Sequence, residues 1–175
     1  RSLLNTLEKF GCDVELVSSK EEIASIDKLI LPGVGSFYSA MKELETNELI
    51  IPIQEHARKK DILGICLGMQ LMMKSGTEGG KSKGLNLING NVDLLPNNLG
   101  RLPHIGWNDI SSNDKNDLMI NVDSNSNVYF VHSYQCLIKE QISMIHSDFY
   151  NQDFIAGFQK ENIFGTQFHP EKSQN

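Results

Sequence analysis

The sequence predicts a single α/β domain on a parallel sheet, with its ligand site at the carboxyl ends of the strands. Three observations carry that expectation. Helical patterns alternate with short apolar runs through the first half of the chain, the texture of strands buried on both faces. Two of those runs, Lys28-Leu29-Ile30-Leu31 and Ile62-Leu63-Gly64-Ile65, lead into glycine-containing turns. The 175 residues, 39% hydrophobic and 22% charged, are enough for one core without disulfide or metal staples.

The elements follow in order. Leu3, Leu4, Leu7 and Phe10 recur at helical spacing and predict an amphipathic helix, which lacks the long apolar stretch of a signal peptide. Gly11 stops it, and Val14, Leu16 and Val17 predict a short strand. A small helix over 20–25 leads into the strand 28–31, which ends at Pro32-Gly33. Helices are expected over 38–44 and 49–58, then the strand 62–65, then a helix containing Leu67, Leu71 and Met72. The second half is richer in Gly, Asn and Ser. It is expected to be strands and loops, with strands at 128–131 and 154–158. Residues 108–127, dense in Asn, Asp and Ser, predict a surface excursion of turns.

Charge and cysteine usage narrow the function classes. A net charge of −6 offers no basic field for a nucleic acid or an anionic membrane. No apolar run approaches the ~20 residues of a membrane helix. Cys12, Cys66 and Cys136, odd in number and scattered, argue against a secreted disulfide framework and for a reducing compartment.

The sharpest motif is Gly64-Ile65-Cys66-Leu67-Gly68-Met69-Gln70, placed where a strand turns into a helix. Glycines two before and two after a nucleophile permit a tight turn that projects one side chain from the top of a sheet. A thiol there meets the helix N-terminus, which favours thiolate, and backbone N–H groups from Leu67 onward that can hold an oxyanion. The plain alternative is a buried cysteine in a glycine-flanked turn. A thiol acting on an amide needs a base held in one tautomer. Of the five histidines, His169 in Gln167-Phe168-His169-Pro170-Glu171-Lys172-Ser173 has Glu171 two residues on, where an extended backbone would point both the same way. Alone, it reads equally as a surface histidine. Leu31-Pro32-Gly33-Val34-Gly35-Ser36 leaves a strand with two glycines flanking one residue, a backbone able to approach a ligand and donate to an oxyanion, or an ordinary tight turn.

Together, the Pro-Gly-Val-Gly loop, the cysteine elbow and the His-Pro-Glu segment resemble the triad-type, class I glutamine amidotransferases. Leu102-Pro103-His104-Ile105-Gly106-Trp107-Asn108, Tyr129-Phe130-Val131-His132-Ser133-Tyr134 and His169-Pro170-Glu171-Lys172-Ser173 narrow the likeness to the glutaminase subunits of imidazole glycerol phosphate synthases, over nearly the whole chain. That resemblance implies a three-layer fold, a mostly parallel central sheet with flanking helices, forming one domain over 1–175. It implies Cys66 as nucleophile, His169 as base and acid, and Glu171 as its orienter. Gly33, Val34, Gly35 and Leu67 would surround the oxyanion, while Gln70, Ser133 and Tyr134 would hold the substrate. His104, Trp107, Tyr129 and Lys172 would lie near the interface with a (β/α)₈-barrel synthase subunit. Ammonia released from L-glutamine would pass to that subunit of a cytoplasmic heterodimer, making imidazole glycerol phosphate and AICAR in histidine biosynthesis, with no cofactor or metal. The resemblance further implies a strand before Arg1, central in the sheet, and a helix after Ser173. Three alternatives stand beside this reading: a paralogue serving a surface-polysaccharide sugar-modifying partner, a binding subunit with a dead site, and a cysteine hydrolase acting on another amide.

Overall fold

In the computed structural model, residues 2–96, 100–112, 115–123 and 126–173 are described. Helices α1 (Ser2–Lys9) and α2 (Lys20–Ser25) precede strand β1 (Lys28–Leu31); α3 (Phe37–Thr46) and α4 (Ile50–Ala57) separate it from β2 (Asp61–Ile65), and α5 (Leu67–Leu71) follows at once. The rest is β: β3 (Met73–Gly76), β4 (Ser82–Lys83), β5 (Ile88–Leu94), β6 (His104–Ile110), β7 (Ser126–His132), β8 (Tyr134–Ile138), β9 (Ser143–Phe149), β10 (Gln152–Lys160) and β11 (Ile163–Thr166). The alternating first half and strand-rich second half agree with the expectation.

The central sheet runs β1-β2-β11-β10-β9. It is parallel across β1, β2 and β11, and antiparallel across β10 and β9, so the sheet is mixed. A second sheet, β4-β3-β5-β8, and the antiparallel pair β6-β7 lie outside it. One core cluster packs helices against the parallel strands through Phe37, Ile53, Ile62, Met69 and Met72. A second, aromatic cluster of Phe130, Phe149, Phe154 and Phe168 fills the space under β6-β7.

Local signals account for the element ends. Ser19 and Glu22 form a capping box that starts α2, and Ser36 caps α3 by accepting from Ser39 N–H. The strand expected at Val14–Val17 does not form. A strand needs a ladder, and among the described residues nothing pairs with 14–17; Val17 instead packs, half-buried, on the first core cluster. The excursion expected over 108–127 is shorter than predicted. Asn108–Ile110 belong to β6 and Ser126–Asn127 to β7, while 113–114 and 124–125 lie outside the described residues. Asn116 is buried there: it accepts from Leu118 N–H to start a 3₁₀ turn and donates to Ser143 Oγ. Among the described residues no helix is long and apolar enough to cross a membrane.

Candidate active site

The carboxyl end of β2 makes the site. Cys66 follows it with φ 53° and ψ −110°, a conformation sparsely populated by residues with a side chain, and α5 begins at the next residue. The turn closes through bare backbone. A Cβ on Gly64 would lie 2.6 Å from the Met69 nitrogen, and one on Gly68 would lie 1.8 Å from the Leu31 carbonyl oxygen.

β11 sets what faces the elbow. Ile65 pairs with Thr166 in parallel register, and Cys66 N–H donates to the Thr166 carbonyl at 2.7 Å. Beyond Thr166 the chain alternates: Gln167 reaches Cys66, Phe168 enters the aromatic cluster, and His169 lines the cavity in front of the sulfur. His169 N–H is tied to the Tyr129 carbonyl at 3.0 Å. Its Nδ1 lies 3.0 Å from Glu171 Oε1, with both side chains nearly buried. A carboxylate only accepts, so Nδ1 carries a proton, and in the neutral form of the ring the lone pair is on Nε2. The extended backbone expected between these two residues is absent: Pro170–Lys172 is a 3₁₀ turn that folds Glu171 back under the ring, Pro170 supplying the φ such a turn needs.

Cys66, His169, Leu67, Gly33, Val34 and Gly35 share one cavity of about 290 Å³. Gly33 lets the loop lie on α5, since a Cβ there would be 2.7 Å from Leu67 Cβ, and Gly35 holds φ +102°. Gln70, Ser133 and Tyr134 form another wall, so each residue expected to touch substrate is at this cavity. A larger cavity of about 390 Å³, lined by Asp109, His146, Asp148 and Asp153 among others, shares no residue with it and contains neither cysteine nor an amide-holding loop.

The thiolate expected at a helix N-terminus is corrected by burial. Desolvation pushes the Cys66 thiol up to about 11, with Glu171 and Glu78 adding to the rise; the Leu67 N–H and Lys172 pull the other way and lose. The five residues of α5 are too short a helix to outweigh the loss of water around sulfur. The resting group is a neutral thiol, which makes a neighbouring base a requirement.

Several site residues escaped the sequence reading. Glu78 lines the cavity, its Oε2 accepting from Phe37 N–H at 2.9 Å; no motif marks it. His132 lines it too, and its Nδ1 lies 2.8 Å from the Tyr134 carbonyl. Gln167, fully buried, places Nε2 3.6 Å from Cys66 Sγ. The alternation used for His169 and Glu171 would have found it one step upstream.

Of the four residues expected near an interface, Trp107, Tyr129 and Lys172 neighbour one another and His104 does not join them. His104 is buried, stacked on Phe130 at 5.1 Å with Nδ1 3.2 Å from His132 Nε2, because its position in β6 faces the aromatic cluster. Trp107, paired with Tyr129 across β6-β7, lies on the opposite face. Their rings meet edge to face at 5.6 Å, and Lys172 Nζ sits 5.6 Å from the Tyr129 centroid. Trp107 stays 41% exposed and its face-mate Ile105 60%.

Comparison with known proteins adds lineage. A family model described as glutamine amidotransferase class-I matches residues 1–175. The imidazole glycerol phosphate synthase subunit HisH 1 of Legionella pneumophila strain Lens is 42% identical over 98% of this chain and 86% of its own length. The HisH subunit of Streptococcus gordonii is 43% identical over 98% of this chain and 83% of that protein, and that of Aquifex aeolicus 40% identical over 99% and 84%. A crystal structure of a glutamine amidotransferase superposes with TM-score 0.76 at 16% identity, covering 98% of this chain and 85% of the other.

Proposed function

The chain belongs to the class-I glutamine amidotransferase family, and from that premise we propose that it is the glutaminase subunit of imidazole glycerol phosphate synthase, hydrolysing L-glutamine and delivering ammonia to a (β/α)₈-barrel synthase subunit in histidine biosynthesis. The observation that carries the chemistry is the shared cavity, in which the Cys66 thiol at its strained elbow and the Glu171-oriented imidazole of His169 face one space. Identity of 40–43% to HisH subunits over nearly the whole chain supports the choice of synthase.

The mechanism follows from the charges. His169 Nε2 takes the Cys66 proton as the sulfur attacks the side-chain amide carbon, so charge separates only when it is used. The oxyanion receives N–H groups from Leu67 and the Gly33-Val34-Gly35 loop; one such donor is typically worth about 3 kcal/mol of transition-state stabilisation. His169 returns the proton to the departing nitrogen, releasing ammonia and leaving a γ-glutamyl thioester on Cys66. Water, deprotonated by the same nitrogen, cleaves the thioester to glutamate and restores the thiol. Glu78 supplies negative charge for the substrate's α-ammonium, and Gln70, Ser133 and Tyr134 help hold its α-amino and carboxylate groups. The ladder of exposed Ile105, Trp107 and Lys172 around half-buried Tyr129 is the docking face for the barrel, since β7 carries Tyr129 and also ends at the cavity wall with Val131 and His132.

Reconstitution tests the proposal. The full chain, mixed with a histidine-pathway barrel subunit and its phosphoribosyl substrate, is expected to form imidazole glycerol phosphate from glutamine, and the C66A variant to form none. Glutamate release without that product would assign the ammonia to another acceptor, and undiminished turnover by C66A would remove Cys66 as nucleophile.

A further inference from the structure

The chemistry proposed above leaves unexplained a fully buried amide beside the nucleophile. Gln167 Nε2 lies 3.6 Å from Cys66 Sγ, and its Oε1 lies 2.9 Å from Gln70 Nε2. The two ends of an amide are distinguished by their partners. Gln70 Nε2 also lies 3.1 Å from the Tyr134 carbonyl, which can only accept, so that atom of Gln70 has to be the donor. The same nitrogen meets Gln167, whose facing atom therefore has to be oxygen. The other end of Gln167, the end at the sulfur, is then NH₂. Gln70 thus donates both to the Tyr134 carbonyl and to Gln167, and Gln167 in turn donates to Cys66, so every hydrogen of this chain is directed.

We infer that Gln167 is a positioning residue for the nucleophile: its amide N–H holds the Cys66 sulfur in the attacking rotamer and favours the thiolate as it forms, and Gln70 aims that N–H. The inference rests on the reading of Cys66 as nucleophile. A hydrogen bond donated to an ionised acceptor is roughly twice as strong as one to a neutral acceptor, so the contact strengthens as the proton leaves. It also opposes the desolvation that keeps the resting thiol protonated. Gln167 is rigid enough for the task, because its own N–H donates to the Ala156 carbonyl at 2.8 Å and β11 pins the preceding residue to the elbow. Gln70 thus does more than line the cavity, since both contacts of its Nε2 are spent on this chain.

The test measures alkylation of Cys66 by iodoacetamide in the full chain between pH 7 and 9, site by site with mass spectrometry, alongside glutamine turnover in the reconstituted complex. Below the thiol's pKa the rate follows the thiolate fraction. Q167E keeps the side chain's size and its acceptor for Gln70 but replaces the N–H at sulfur with a carboxylate oxygen. It is expected to react at least tenfold more slowly at each pH, an upward shift of about one unit, with kcat reduced and KM for glutamine little changed. Q70M, which removes the group that aims Gln167, is expected to move the rate in the same direction by less. Buried Cys136 reports folding: its alkylation stays slow in an intact variant and rises in an unfolded one. A Q167E or Q70M protein that is folded by this criterion and alkylated at the wild-type rate overturns the inference. Wild-type turnover abolished by C66A shows in the same preparation that the nucleophile reading stands, so the two failures are distinguishable.

Discussion

Gly68 and Leu31 are in backbone contact: a Cβ on Gly68 would lie 1.8 Å from the Leu31 carbonyl oxygen. The obstacle is main chain at the carboxyl end of β1, which no rotamer change relieves. β1 would have to move off α5, taking the Gly33-Val34-Gly35 loop with it.

The expected outcome for G68A is a loss of about 3 kcal/mol or more, at the upper end of overpacking effects, together with loss of glutamine turnover. Urea unfolding and glutamate release measure the two. G35A is the contrast. Nothing lies within 4 Å of its added carbon, but φ +102° is strained for any L side chain, so it is expected to cost on the order of 1–3 kcal/mol and to lower kcat by shifting the loop's N–H groups. Equal stability losses in the two variants would argue against backbone collision as the reason for Gly68.

Glu171 carries a second prediction, because function and stability pull apart there. One carboxylate oxygen meets His169, while Oε2 is buried without a hydrogen-bond partner. A half-satisfied buried charge is costly to the fold. E171Q removes the charge that stabilises the imidazolium, and turnover is expected to fall roughly 10²–10⁴-fold while the melting temperature holds or rises. A melting temperature that drops with the activity would make Glu171 a structural residue first.

Acid stability is set by the buried histidine pair. Burial pushes His132 down to about 3, its bond to the Tyr134 carbonyl opposing, and desolvation also lowers His104. Below the unfolded-state value near 6.5 the unfolded chain binds protons that the folded chain refuses. Stability is therefore full above pH 6.5 and falls as pH drops toward 3, by up to about 1.4 kcal/mol per pH unit for each such histidine. H132N is expected to flatten the slope of unfolding free energy against pH between about 6.5 and 5.5, where most carboxylates are still ionised. An unchanged slope would mean that other groups control the acid limb.

How much of this was legible in sequence depends on the range of the signal. β1 and β2 were readable because they are short apolar runs leading into glycine-containing turns. The cysteine elbow was readable because its demands are local: two glycines and one thiol. Glu78 was not, since its place at the cavity follows from a hydrogen bond to Phe37 N–H, 41 residues back. The interior position of His104 was hidden for a related reason. Gly106, between it and Trp107's neighbours, gives no apolar alternation to say which face of β6 turns inward; the register His104↔His132 decides it. The thiol's upward shift depends on burial, which composition does not report.

The aromatic ladder yields the last prediction. Trp107 and Tyr129 stack edge to face, Lys172 lies over Tyr129, and Trp107 contributes nothing to either core cluster. Truncating it should leave the fold nearly untouched, as surface changes away from caps and buried polar groups usually stay within about 0.5 kcal/mol. If the ladder docks the barrel subunit, Trp107 is the type of residue that dominates an interface, an aromatic anchor whose loss typically costs about 2 kcal/mol or more. W107A is therefore expected to weaken association with the barrel about 30-fold by calorimetry while its melting temperature stays near wild type. Glutamine turnover in the mixture should recover when the barrel subunit is supplied in excess, because the cavity residues are intact. K172A, which leaves both rings in place and removes only the cation over Tyr129, is expected to weaken association by less, given a cation–π contribution of about 0.5–1 kcal/mol at an exposed site. Unaltered affinity in W107A would move the docking face elsewhere on the molecule.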